Sequence, residues 1–161
     1  MIIGVQPMSK KKLDEKDFHK KTAVNCFNHV WDLLGKKKRT KEEDDDMVHS
    51  AHASRYHWGK IGTPLHFLRG EWQISRVYSV LKRAQPAIYH AKRSLQLCKA
   101  NKIKGFDLAF AYEALARAYM VAGKKRDCVK NLTQAKKVGG KIEKAEDKRW
   151  FMDNLKTISC K

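Results

Sequence analysis

Ile74-Ser75-Arg76-Val77-Tyr78 and, 41 residues further on, Leu115-Ala116-Arg117-Ala118-Tyr119 repeat one pattern of large, small, Arg, apolar and Tyr. The same offset lays Ala87 on Cys128 and Ser94 on Ala135. Self-similarity at a period of this length marks a chain assembled from repeated supersecondary units. Small residues at Ser75/Ala116 and Ala87/Cys128 let two antiparallel helices approach closely, and the tyrosines fill the groove between neighbours. A single helical hairpin cannot bury its own apolar face, so the hairpins must stack.

Working outward, helical periodicity covers nearly the whole chain and no alternating β pattern interrupts it. Val24, Phe27, Trp31 and Leu34 form the stripe of a first helix that Gly35 stops. Thr40-Lys41-Glu42-Glu43 reads as a capping box, and the acidic run Glu42 to Asp46 sits where the helix dipole favours negative charge. A second helix continues to the break at Gly59-Lys60-Ile61-Gly62. Thr63-Pro64 opens a third that runs to about Arg83, and a fourth begins at Pro86. Asp107 is placed as the N-cap of a fifth helix ending at Ala122, Gly123 turns it into a sixth, and Gly139-Gly140 ends that one. Ile142, Ala145, Phe151, Leu155 and Ile158 give a terminal capping helix. The expectation is an all-α single domain over residues 1–161, about seven helices in a stack of antiparallel hairpins, with residues 1–12 a flexible basic N-terminus.

The chain has 161 residues, enough for one compact domain. Lys and Arg number 35 against 17 Asp and Glu, a net charge of +18, which raises nucleic acid as a partner. Most of the excess is Lys, spread over the N-terminus, Lys36-Lys37-Lys38-Arg39 and the last third, without an interleaved aromatic surface. Nonspecific nucleic-acid binding is therefore the second reading, behind a solvated lysine-rich face. Apolar runs of only a few residues exclude a spanning helix. Charges that follow a very short apolar stretch reverse the order of a secretory signal, which points to the cytoplasm. Cys26, Cys98, Cys128 and Cys160 lack any C-x-x-C pair and are read as reduced thiols, Cys98 and Cys128 in apolar helix positions.

Tyr112, Leu115-Ala116, Tyr119, Gly123, Cys128, Leu132 and Ala135 resemble the tetratricopeptide repeat, and Ile74-Ser75, Tyr78, Ala87, Ala91 and Ser94 match it in part. The spacing of 41 exceeds the usual repeat of about 34 residues. A further shift back sets Trp31 under Trp72 but puts Lys37 where Tyr is wanted. The segment His49 to Tyr78 is also similar to an uncharacterised group of short bacterial proteins of this kind. The resemblance implies a right-handed stack in which the first helix of each hairpin lines a concave groove. Carried over by position, the groove comprises Arg69, Trp72, Gln73 and Arg76, then Phe110, Glu113, Arg117 and Met120. Such a groove suits a protein or peptide partner or a small anionic ligand, with paired arginines for a carboxylate or phosphate and Trp72 as an apolar wall. The alternative is that Glu113 pairs with Arg76 or Arg117 and the three hold the hairpins in register.

A polar cluster lies in the second helix: His49, His52, Arg55, Tyr56 and His57. His49 and His52 are spaced i, i+3, yet a metal needs a third donor and neither H-E-x-x-H nor Glu-x-x-His occurs here, so no metal is expected. Histidines hydrogen-bonded across the hairpin are favoured; a small enzyme or metal site built on them is the third reading. No phosphate-binding loop, nucleophile elbow or Cys–His spacing suggests catalysis, and no cofactor is implied. A homodimer through an exposed helix face stays open.

Overall fold

The computed structural model describes residues 14–161; the expected basic N-terminal tail lies outside them. The described residues form seven helices and no strand: α1 Glu15–Leu34, α2 Lys41–Ile61, α3 Pro64–Val80, α4 Ala84–Ala100, α5 Gly105–Val121, α6 Lys125–Gly139 and α7 Ala145–Lys156. None of these helices is long and apolar enough to cross a membrane.

Side-chain ties between helices give their directions. From α1 to α2, His19 meets His57 and His29 meets Asp46; from α3 to α4, Leu68, Glu71 and Ser75 meet Ser94, His90 and Ala87. Rising numbers meet falling numbers, so each pair is antiparallel. Between α3 and α5 the order is preserved, Arg69 meeting Asp107 and Trp72 meeting Glu113, and α5 meets α7 in the same sense, Phe110 with Phe151 and Arg117 with Asn154. Each helix packs on its successor, and α3, α5 and α7 also touch one another in series.

The 41-residue repeat is a structural repeat. α5 begins and ends 41 residues after α3, and the tight turns correspond atom for atom. Arg83 N–H donates to Tyr78 C=O at 2.9 Å and Lys124 N–H to Tyr119 C=O at 2.9 Å. Lys82 and Gly123, at equivalent positions, adopt left-handed φ of 60° and 67°. Ser75, Ala116, Ala87 and Cys128 are all wholly buried, as close helix approach requires. Because Lys82 bears a side chain in a conformation that favours glycine, Lys82→Gly is expected to raise stability by about 1 kcal/mol. Urea denaturation checks it; an unchanged or lowered midpoint refutes the strain.

Several boundaries differ from the sequence reading. α3 ends at Val80, before Arg83, because the turn closes on Tyr78 C=O. α4 starts at Ala84, which places Pro86 inside the first turn, where its missing N–H has no intrahelical partner to lose. Asp107 is not the cap of α5: the helix begins at Gly105 after Lys104, because Asp107 turns to Arg69 instead. The capping box at Thr40 and Glu43 forms as expected, with bonds of 3.2 and 2.9 Å.

The four cysteines are not all reduced, contrary to what spacing alone leads one to expect. Cys26 and Cys98 are free thiols, but Cys128 and Cys160 form a disulfide, with Cα atoms 5.7 Å apart. The residues following α7 turn back onto the first turn of α6, a proximity that spacing along the chain does not reveal. At the far end of α6, Gly139 allows the wholly buried Phe151 to lodge against the helix; a Cβ there would overlap the ring.

Candidate binding cleft

The arginines assigned to the groove are engaged within the protein. Glu113, wholly buried on α5, accepts from Arg117 Nε at 2.7 Å and Arg76 Nη1 at 3.4 Å, and Trp72 Nε1 lies 3.4 Å from its other oxygen. Arg117 also donates to Asn154 C=O at 3.0 Å and Thr157 Oγ1 at 2.8 Å, tying α5 to the end of α7. Burial, and then the neighbouring Arg117, lower the pKa of Arg76 from its ordinary value. These bonds link α3, α5 and α7. Gln73 is also buried, its Nε2 donating to Phe27 C=O at 3.0 Å.

Arg69 differs. Its side chain is 50% exposed, and it holds Asp107 with two bonds, Nε at 2.7 Å and Nη2 at 3.1 Å. It borders a cleft of about 330 Å³ that sequence reading did not assemble. The walls are Phe27 and Trp31 of α1, Leu68, Arg69 and Trp72 of α3, Ser94 of α4, Phe106, Asp107 and Phe110 of α5, and Trp150 of α7. The aromatics form a chain of contacts: Trp31 to Trp72 at 5.7 Å, Trp72 to Phe110 at 5.5 Å and Phe110 to Trp150 at 4.8 Å, with Trp150 also stacked on Phe106. Trp150 stands 45% exposed at the lip. Offset and edge-on contacts of this kind stabilise each other while leaving ring faces for a ligand.

A second cleft of about 150 Å³ adjoins the first, sharing Phe27 and Arg69 and adding Val24, Trp58, His66 and Gly70. His66 stacks on Trp58 at 4.0 Å, and its Nδ1 accepts from the Thr63 backbone N–H at 3.2 Å. That bond leaves the proton on Nε2. Burial, and then Arg69, lower the pKa of His66 from its ordinary value.

The α2 cluster separates into three groups. His52 Nε2 pairs with Tyr78 OH at 2.9 Å, beside the ring of His90. Arg55 donates to Glu71 at 3.0 Å and lies over the Phe67 ring, while His90 takes the other Glu71 oxygen at 2.7 Å. Burial acts to raise the pKa of Glu71, but these two partners hold it below the usual carboxylate value. His57 shares a 2.7 Å contact with His19, so one ring must donate and the other accept, and burial followed by His19 lowers its pKa. Tyr56 is exposed under Lys60, and His49 is exposed. Of the three histidines, His57 bonds across the α1–α2 hairpin and His52 bonds to Tyr78 of α3, while His49 makes neither contact. Among the described residues no three His, Cys, Asp or Glu side chains are disposed to hold a metal.

Phe27, Trp31, Phe106 and Trp150 escaped assignment to a site because each reads locally as one member of a helix's apolar stripe. The recurrence of Trp31 and Trp72 at the repeat offset was the available signal. No family model, curated protein or solved structure matches the chain.

Proposed function

We propose that this protein is a binding module, a right-handed stack of helical hairpins resembling tetratricopeptide repeats that holds an extended peptide segment of a partner protein against α1, α3, α5 and α7. The observation that supports it is the aromatic cleft, to which all four odd-numbered helices contribute. A cleft of this volume accepts one large apolar side chain, and its continuation past Phe27 suits a linear chain better than a compact ligand. Rigid tryptophan and phenylalanine faces supply contact area at low entropic cost. The reading rests on the aromatic wall and Arg69, with Arg76, Glu113 and Arg117 holding the wall in place.

The test is selection of random linear peptides displayed on phage against the folded protein. Enriched sequences should carry an aromatic or large aliphatic anchor, and Trp150→Ala should weaken them about tenfold or more. Trp150 is 45% exposed but packs on Phe106 and Phe110, so that variant should lose about 1–3 kcal/mol, several degrees of melting temperature, and stay folded at the temperature of the binding assay. Failure to enrich any sequence, or clones that bind wild type and Trp150→Ala equally, would remove this reading. Retention of nucleic acid that salt releases from both forms would put the lysine-rich surface in its place.

A further inference from the structure

Resting on that peptide-binding reading, we propose that the partner segment is acidic, an Asp or Glu flanked by apolar anchors whose carboxylate is held by Arg69 and His66 where the two clefts meet. Arg69 borders both clefts and is the point between them where a fixed positive charge faces solvent. Its Nε and Nη2 are turned to Asp107, while Nη1 has no hydrogen-bond or ion-pair partner among the described residues. A guanidinium satisfied on one edge by an internal carboxylate is held in a single orientation and presents its remaining N–H groups without further loss of rotamer freedom.

His66 supplies the second donor. With Nδ1 accepting from Thr63, the ring carries its proton on Nε2, and stacking on Trp58 fixes its plane. Among the described residues no carboxylate lines the second cleft, and the anion on the side of the first cleft, Asp107, is paired with Arg69. From His66 to Trp72 the two clefts cover six steps along α3, about 9 Å at the helical rise. That is the reach of about three extended residues. Two apolar side chains and an acidic one between or beside them fit that length. The chain's net charge of +18 steers an acidic segment toward the surface at long range.

Two capped hexapeptides test this, Ala-Phe-Glu-Glu-Leu-Ala and its neutral counterpart Ala-Phe-Gln-Gln-Leu-Ala, titrated while the tryptophan indole N–H signals are followed by NMR. The acidic peptide should bind about tenfold more tightly, the scale of one charge-assisted hydrogen bond. Arg69→Gln should erase that preference, the acidic and neutral peptides then binding with equal affinity. Asp107 tolerates the loss of its partner because it lies in the first turn of α5, where the dipole favours a carboxylate. Asp107→Asn removes the competing anion, and it should enlarge the preference. Equal binding of both peptides by the wild type would overturn the acidic assignment and leave the peptide site standing. If neither peptide shifts the indole signals, the peptide reading itself falls.

Discussion

Exchange of Glu113 for Ala is expected to cost about 3–5 kcal/mol of folding stability, because it strands two guanidinium groups away from water with no counter-charge. The Glu113 side chain is 1% exposed, Arg117 9% and Arg76 20%, and among the described residues the carboxylate is the one anion these two cations share. The loss would be a large share of a typical domain's stability. Glu113→Gln keeps the volume and an acceptor but not the charge, so it should fall between. Replacing all three together, Arg76→Met, Glu113→Leu and Arg117→Met, should recover most of the loss, since an apolar trio leaves no ion unpaired. Urea denaturation of the three proteins decides it. A Glu113→Ala protein within about 1 kcal/mol of wild type would show that the ion pairs do not hold α3, α5 and α7 together. The consequence for binding is direct: a ligand carboxylate reaches Arg76 and Arg117 only by displacing a buried Glu113, whereas Arg69 already stands at the surface.

The helical packing was legible in the sequence where one period governs both packing and turn. Tyr78/Tyr119 and Ser75/Ala116 located α3 and α5, because burying the same helix face twice demands the same spacing twice. Thr40 with Glu43, and Thr63 with Pro64, located helix starts because a cap is a local transaction between residues three apart. Asp107 defeated the same logic: a residue suited to capping found a cation 38 positions away, and tertiary pairing overrode local preference. Arg76 and Arg117 lie on α3 and α5, but a sequence alone does not say whether a buried glutamate will claim them. The aromatic cleft was least legible of all. Phe27, Trp31, Trp72, Phe106, Phe110 and Trp150 come from four separate helices, and each satisfies its own helix's amphipathic pattern. They become one surface only where α1, α3, α5 and α7 come together around the cleft.

Loss of the Cys128–Cys160 disulfide is expected to destabilise the protein by about 3–4 kcal/mol, the chain-entropy value for a closed loop of about 33 residues. The two cysteines are separated by 32 positions, a span that contains most of α6, all of α7 and the buried Ile158. Under denaturing, non-reducing conditions, alkylation should add two groups to the chain, at Cys26 and Cys98, and four after reduction. Cys160→Ser should unfold at a lower urea concentration than wild type, and reductant should lower the wild type to match it. Four alkylatable thiols in the unreduced protein would overturn the bond and restore the reduced state expected from spacing. Disulfides persist in oxidising compartments and are reduced in the cytosol, so the same count on protein taken from its own cells also reports where it resides. The effect reaches the cleft, because α7 carries Trp150 at the lip and Phe151 beneath it, and the return of the chain to Cys128 clamps that helix. The reduced protein should therefore bind a Trp150-dependent peptide more weakly than the oxidised one at temperatures where both remain folded. Equal affinities would show that Phe151 against Gly139, and Arg117 bonded to Asn154 and Thr157, position α7 without the disulfide.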